Sequence, residues 1–173
     1  MLYTLARDAD DATRSATYYQ ALKTCAPNDW EPAFFTLYYS CSREKSQGSC
    51  DKLSNGLENV FLLIYSLDDT AEATDALILV AAYASSFALS VKSESDKFFN
   101  SLDTKSRHAQ KHSHISLCTA AARIISTLLD LLERYFNESE PFTRLYRPIY
   151  LDLCLFSDHL NANQRAYYRE RAK

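Results

Sequence analysis

The sequence predicts an all-α fold, a helical bundle of about six helices in a single domain over residues 1–173, and three observations carry that expectation. Glycine occurs twice and proline four times in 173 residues, so the residues that hairpins, strand ends and phosphate-binding loops require are nearly absent. Apolar side chains recur at spacings of three and four along most of the chain. Short polar breaks separate those periodic segments. A backbone so poor in Gly and Pro satisfies its hydrogen bonds most readily as helices joined by brief loops.

A first helix is expected from about Asp8 to Thr24. Asp8, Asp10 and Asp11 favour its N-terminal end through the helix dipole, and Ala12, Ala16, Tyr19 and Leu22 supply a loose apolar stripe. Ala26-Pro27-Asn28 ends it. Asp29 then reads as the N-cap of a second helix with Pro32 in its first turn, carrying Trp30, Ala33, Phe34, Leu37, Tyr38 and Cys41 inward. Ser46-Gln47-Gly48-Ser49 reads as the next loop. The third helix is expected over Cys50–Leu67, where Gly56 in the interior implies either a kink or a close helix contact.

Asp69-Thr70-Ala71-Glu72 reads as a capping box opening the fourth helix. Its run Ala76 to Ala84 is apolar nearly all round, which marks a central helix covered by neighbours. The polar stretch 92–114 is expected to carry this helix outward, turn near Asp103 and begin a fifth, which becomes strongly apolar from Ile115 to Phe136. Asn137 to Pro141 ends that helix. A segment from Phe142 to Leu160, bent or restarted at Pro148, and a short charged helix in the tail complete the chain.

The net charge of −3 argues against broad nucleic-acid binding, which rests on clustered Lys and Arg, although Arg144, Arg147, Arg165, Arg169 and Arg171 make the C-terminal part locally basic. The first residues lack a basic and an apolar region of the kind a secretory leader shows, and the apolar run Ala76–Val91 falls short of the roughly 20 residues that span a bilayer. A cytoplasmic location without membrane association is the expectation. Five scattered cysteines fit reduced, mostly buried thiols, with Cys41 and Cys50 placed to pair only in an oxidising setting.

Adjacent aromatic doublets mark the first two helices: Tyr18-Tyr19, Phe34-Phe35 and Tyr38-Tyr39. One member of each faces the core, and the other lies wet on the surface or lines a groove for a peptide or partner protein. Tyr18, Phe35, Tyr38 and Tyr39 are the candidate partner-binding residues. The stretch Tyr18 to Trp30, with its aromatic, its Ala21-Leu22 pair and Pro27-Asn28, resembles the second helix and exit turn of a tetratricopeptide repeat. Residues 16–42 are also similar to the helical region of uncharacterised bacterial proteins that join it to a zinc ribbon. The resemblance implies a repeat-like helical hairpin at the N-terminus. The Ala21-Leu22 pair stands one residue further from Pro27 than in the family, and no second copy recurs near a spacing of 34 residues.

Arg107 and His112 match the R-x4-H pattern of HEPN ribonucleases, and Arg107 with His114 matches its six-residue variant. That resemblance implies a metal-independent mechanism in which the Arg stabilises a phosphate oxyanion and the His exchanges a proton with the 2′-hydroxyl. A solvated helix N-terminus accounts for the same residues. No catalytic residue is therefore assigned, with Arg107, His112 and His114 as the alternative. His108 with His112, and His114 with Cys118, form two i,i+4 pairs, but their displacement by six residues points them to different sides of one helix. No metal or other cofactor is expected. The function expected is a non-enzymatic protein interaction or scaffold domain of a bacterial cytoplasmic protein.

Overall fold

The computed structural model describes residues 1–136 and 141–173. Every regular element among them is helical: α1 (Leu2–Arg7), α2 (Ala12–Cys25), α3 (Trp30–Ser42), α4 (Gln47–Tyr65), α5 (Thr70–Ser101), α6 (Thr104–Tyr135), α7 (Thr143–Cys154), a 3₁₀ turn at Ser157–His159, and α8 (Ala162–Arg171). The bundle thus has eight α-helices among the described residues, where about six were expected.

The differences lie at helix starts. Asp11 accepts from the N–H groups of Thr13 and Arg14, each at 2.8 Å, so α2 begins at Ala12 and Asp8 and Asp10 fall outside it. The residues before them form α1, too short for periodicity to reveal. Ser46 accepts from the N–H of Ser49 at 3.2 Å, which turns the expected loop Gln47-Gly48-Ser49 into the first turn of α4. Asn161 and Gln164 close a reciprocal capping box on α8. Asp29 and Asp69 cap α3 and α5 as their sequence positions predict. Pro148 lies within α7 without dividing it. α6 ends at Tyr135, and of the expected stop at Asn137 to Pro141 the residues 137–140 lie outside the described residues.

The polar stretch 92–114 is helical on both sides of a two-residue turn, Leu102-Asp103. Asp103 accepts from the N–H and hydroxyl of Ser106, both at 2.9 Å, and these bonds hold its carboxyl below the usual range. Arg107 reaches back across the turn and donates to the carbonyls of Asn100 and Leu102, each at 3.1 Å, serving acceptors at the end of α5. So short a turn makes α5 and α6 antiparallel neighbours, each 32 residues and about 48 Å long.

This pair is the most extensively packed in the molecule, and α6 also packs on α4 and α7. Ala76, Leu77, Val80, Ala84 and Ala88 of α5 share one buried cluster with Ala121, Ile124, Ile125, Leu128 and Leu132 of α6 and Leu53, Leu57, Phe61 and Ile64 of α4. Small residues on both long helices permit close approach. Leu79 is only half-buried and leaves this core for a surface cleft. Ser54 of α4 and Thr127 of α6 share a hydrogen bond of 2.8 Å between their hydroxyls.

The N-terminal helices add to this centre in sequence, α1 on α2, α2 on α3 and α3 on α4. Gly56 makes the last junction close: a Cβ there would come within 2.4 Å of the Leu37 side chain. By length and hydropathy α5 and α6 are each sufficient to cross a bilayer, although 44% and 56% of their most apolar windows are buried inside the bundle. The expectation that the apolar run of α5 falls short of a span does not hold by this measure, because each helix contains an 18-residue window apolar enough to qualify.

Leu129, buried on α6, tests the central position of that helix. Leu129→Ala should cost about 2–5 kcal/mol through lost burial and cavity formation. A denaturant melt showing a loss under about 1 kcal/mol would remove α6 from the centre of the fold.

Candidate functional site

Two places in the fold gather chemistry. The first is a cleft of about 350 Å³ lined by Ala6 and Arg7 of α1, Tyr19 of α2, Trp30, Glu31, Phe35 and Tyr39 of α3, and Leu79 and Tyr83 of α5. Glu31, Phe35 and Tyr39 stand at i, i+4 and i+8 on α3, and Leu79 and Tyr83 at i, i+4 on α5, so each helix presents one face to the cleft. The Tyr19 and Phe35 rings stack at 4.6 Å, and Tyr83 meets Phe35 edge-on at 5.1 Å.

A carboxylate sits in this aromatic wall. Glu31 is 5% exposed and would be costly to bury alone. Arg7 grips it with two nitrogens, Nε at 2.7 Å from Oε1 and Nη2 on Oε2, while the Tyr19 hydroxyl donates to Oε1 at 2.9 Å. Burial and the neighbouring Glu31 charge push the Tyr19 hydroxyl well above its ordinary pKa, so it remains a donor. Alongside, Tyr3 donates to Asp29, the cap of α3. Burial and this carboxylate push its hydroxyl up to about 12.

Of the sequence candidates for partner binding, Phe35 and Tyr39 line the cleft. Tyr38 braces Tyr83 from its side at 5.1 Å, and Tyr18 lies half-buried outside the lining. Arg7, Trp30, Glu31, Leu79 and Tyr83 were not among the partner-binding candidates read from the sequence. The i,i+4 spacing on α3 and α5 was visible there, but not that the two faces meet.

The alternative catalytic set is distributed along α6. Arg107 is engaged with the carbonyls of α5 and lies 5.8 Å from the Phe99 ring centre. His108 and His112 are exposed. His114 stacks on Phe99 at 4.3 Å, and its Nδ1 is 2.9 Å from the hydroxyl of Ser95.

His114 belongs to the second place. The side chains of Asp96 on α5, His114 and Cys118 on α6, and His159 at the end of the 3₁₀ turn bring one potential ligand atom each within 4.8 Å of one another. His114 Nε2 is 3.6 Å from Asp96 Oδ1, and His114 Nδ1 is 3.9 Å from Cys118 Sγ. The His114 and His159 rings meet edge-on at 5.4 Å. Lys92 donates to the other oxygen of Asp96 at 2.5 Å.

Burial pushes the Cys118 thiol up, and burial together with the neighbouring His114 and Lys92 pushes His159 down. Nδ1 of His159 is buried and has no hydrogen-bond partner. The four side chains, one carboxylate, two imidazoles and one thiol, are of the three types that ligate a transition metal. The sequence displayed only the His114–Cys118 pair. His108 and His112 have no part in the cluster. All five cysteines are free thiols, with Cys41 and Cys50 both buried.

No protein-family model, curated protein or solved structure matches the chain.

The cleft makes a prediction about Glu31. Arg7→Ala leaves a buried carboxylate without its cation, whereas Glu31→Gln removes the charge and frees a mostly solvated Arg. Arg7→Ala should therefore destabilise the fold more, by about 1.5–3 kcal/mol, and adding Glu31→Gln should restore part of that loss. Denaturant melts of the two single variants and the double variant check the order.

Proposed function

We propose that this chain is a non-enzymatic helical interaction domain that receives a peptide or protein segment in the aromatic cleft between α1, α3 and α5. The observation that carries the reading is the lining of that cleft: Tyr19, Trp30, Phe35, Tyr39 and Tyr83 surround a volume of about 350 Å³, enough for one large side chain and part of a backbone. Large aromatics offer contact area at little entropic cost, and such anchors dominate protein recognition. The Arg7–Glu31 pair satisfies the buried charge beforehand, so a ligand need not neutralise it.

The packed pair α2–α3 supports reading the N-terminus as a repeat-like hairpin, as the tetratricopeptide resemblance of residues 16–42 implies. A location in the cytoplasm of a bacterium follows the same resemblance and fits five free thiols. The burial of about half of each apolar window in α5 and α6 supports a core role for them rather than a membrane span. Arg107, committed to closing the α5–α6 turn, is poorly placed to serve a phosphate, which favours this reading over the ribonuclease.

Trp30 is the chain's single tryptophan and lines the cleft, so its fluorescence reports occupancy. Peptides selected by display against the full chain should shift Trp30 emission, and Tyr83→Ala should weaken them about 10- to 100-fold, the range of a good anchor. The same protein should leave RNA intact. Selected peptides indifferent to Tyr83→Ala would place recognition elsewhere, and RNA cleavage that His112→Ala or His114→Ala abolishes would replace the proposal with the nuclease.

A further inference from the structure

We propose that Asp96, His114, Cys118 and His159 bind a divalent transition-metal ion, zinc by preference, which fastens the C-terminal segment to the α5–α6 hairpin. The donor set comes first. One carboxylate oxygen, two imidazole nitrogens and one thiolate sulfur complete a tetrahedral shell of the type zinc takes, and Mg²⁺ or Ca²⁺ would instead select an all-oxygen set. Bonds of about 2.0–2.3 Å place tetrahedral donors roughly 3.3–3.8 Å apart. Here the four ligand atoms already lie within 4.8 Å of one another, with His114 Nε2 at 3.6 Å from Asp96 Oδ1, so side-chain movements of about 1 Å close the shell.

The surroundings are also those of a ligand site. Ser95 engages Nδ1 of His114, which leaves Nε2 turned toward Asp96, and Phe99 fixes the plane of the ring. A metal-bound histidine commonly holds its second nitrogen on such a partner. Independently, Nδ1 of His159 is buried without a hydrogen-bond partner, on a ring that meets His114 at 5.4 Å. A buried imidazole nitrogen left unpaired costs free energy, and coordination by His159 would place that ring in a fully occupied shell.

Charge balances as well. Asp96 and a deprotonated Cys118 bring two negative charges to a dication, while both imidazoles bind neutral. The Cys118 proton leaves to solvent on binding, and no electron is transferred. Lys92 and Asp158 are the other charged groups acting on the cluster. Lys92 holds Oδ2 of Asp96, while Oδ1 faces His114 and is available to the metal. Four protein ligands leave no open position, so the site is structural and not catalytic. Its ligands come from α5, α6 and the 3₁₀ turn, and the ion therefore crosslinks parts of the chain that are distant in sequence.

The test uses the full chain, stripped with a chelator and titrated with Co²⁺ and then Zn²⁺. One Co²⁺ per chain should give intense tetrahedral d–d absorption with a thiolate-to-cobalt charge-transfer band, and Zn²⁺ should displace both. Cys118→Ser should abolish the charge-transfer band, and His159→Gln and Asp96→Asn should each weaken binding at least about tenfold. Ser95→Ala, which removes the hydroxyl that orients His114 and also bonds Cys118, should weaken it by about tenfold or more. Helical circular dichroism verifies that each variant is folded, and a variant that unfolds is replaced by the next ligand in the set. A double His108→Ala, His112→Ala variant should bind like wild type. Weak octahedral absorption without the charge-transfer band, or binding lost with His108 and His112 but retained in Cys118→Ser and His159→Gln, shows an adventitious surface ion and overturns the proposal.

Discussion

The two-residue turn between α5 and α6 is the constraint on which the rest of the structure depends. It forces two 32-residue helices to run antiparallel as neighbours, so their small and branched faces bury against each other. α4 and α7 then cover the remaining apolar sides of α6, and the N-terminal helices extend the layer outward through α4. The turn is chemically reinforced from both sides, by Asp103 at the start of α6 and by Arg107 on the final carbonyls of α5. A residue resembling part of a catalytic motif thus has a full structural occupation.

Two buried polar groups in the molecule are handled in opposite ways. Glu31 receives two bonds from Arg7 and one from Tyr19, and its charge becomes part of the wall of the aromatic cleft. The cluster at the other site is incompletely served by protein: His114 has Ser95 and faces Asp96, but Nδ1 of His159 has no partner. The first arrangement is complete without a ligand, which suits a preformed docking surface. The second becomes complete with a cation. The two proposals rest on separate residues and stand or fall separately.

The sequence was most legible where local chemistry decides the outcome. Asp29 and Asp69 cap helices because a short carboxylate beside an apolar run serves free N–H groups wherever the chain goes. Gly56 marked either a kink or a close contact, and it makes the close contact, with Leu37. Local signals misled where two helix starts competed: Asp8, Asp10 and Asp11 are all acidic, and only the hydrogen bonds of Asp11 select it. The Gln47-Gly48-Ser49 segment looked like a loop by composition, yet Ser46 makes it a first turn.

The sites were less legible because tertiary structure assembles them. Phe35 and Tyr39 were recognisable as members of aromatic doublets, although Phe35 is buried beside Phe34 instead of facing outward, whereas Leu79 and Tyr83 reach the same cleft from a helix beyond α4. His114 and Cys118 were visible as an i,i+4 pair, but the remaining ligands do not lie on their own helix. Asp96 arrives across the turn and His159 from beyond α7. The hairpin is thus both the core and the frame of the candidate metal site. Native-state hydrogen exchange tests that role most directly. The account predicts that amides of Val80, Ala84 and Ala88 in α5 and of Ile124, Ile125 and Leu128 in α6 exchange only through global unfolding, while α1 and α8 open locally. Protection of α5 and α6 weaker than that of α2 and α3 would contradict it.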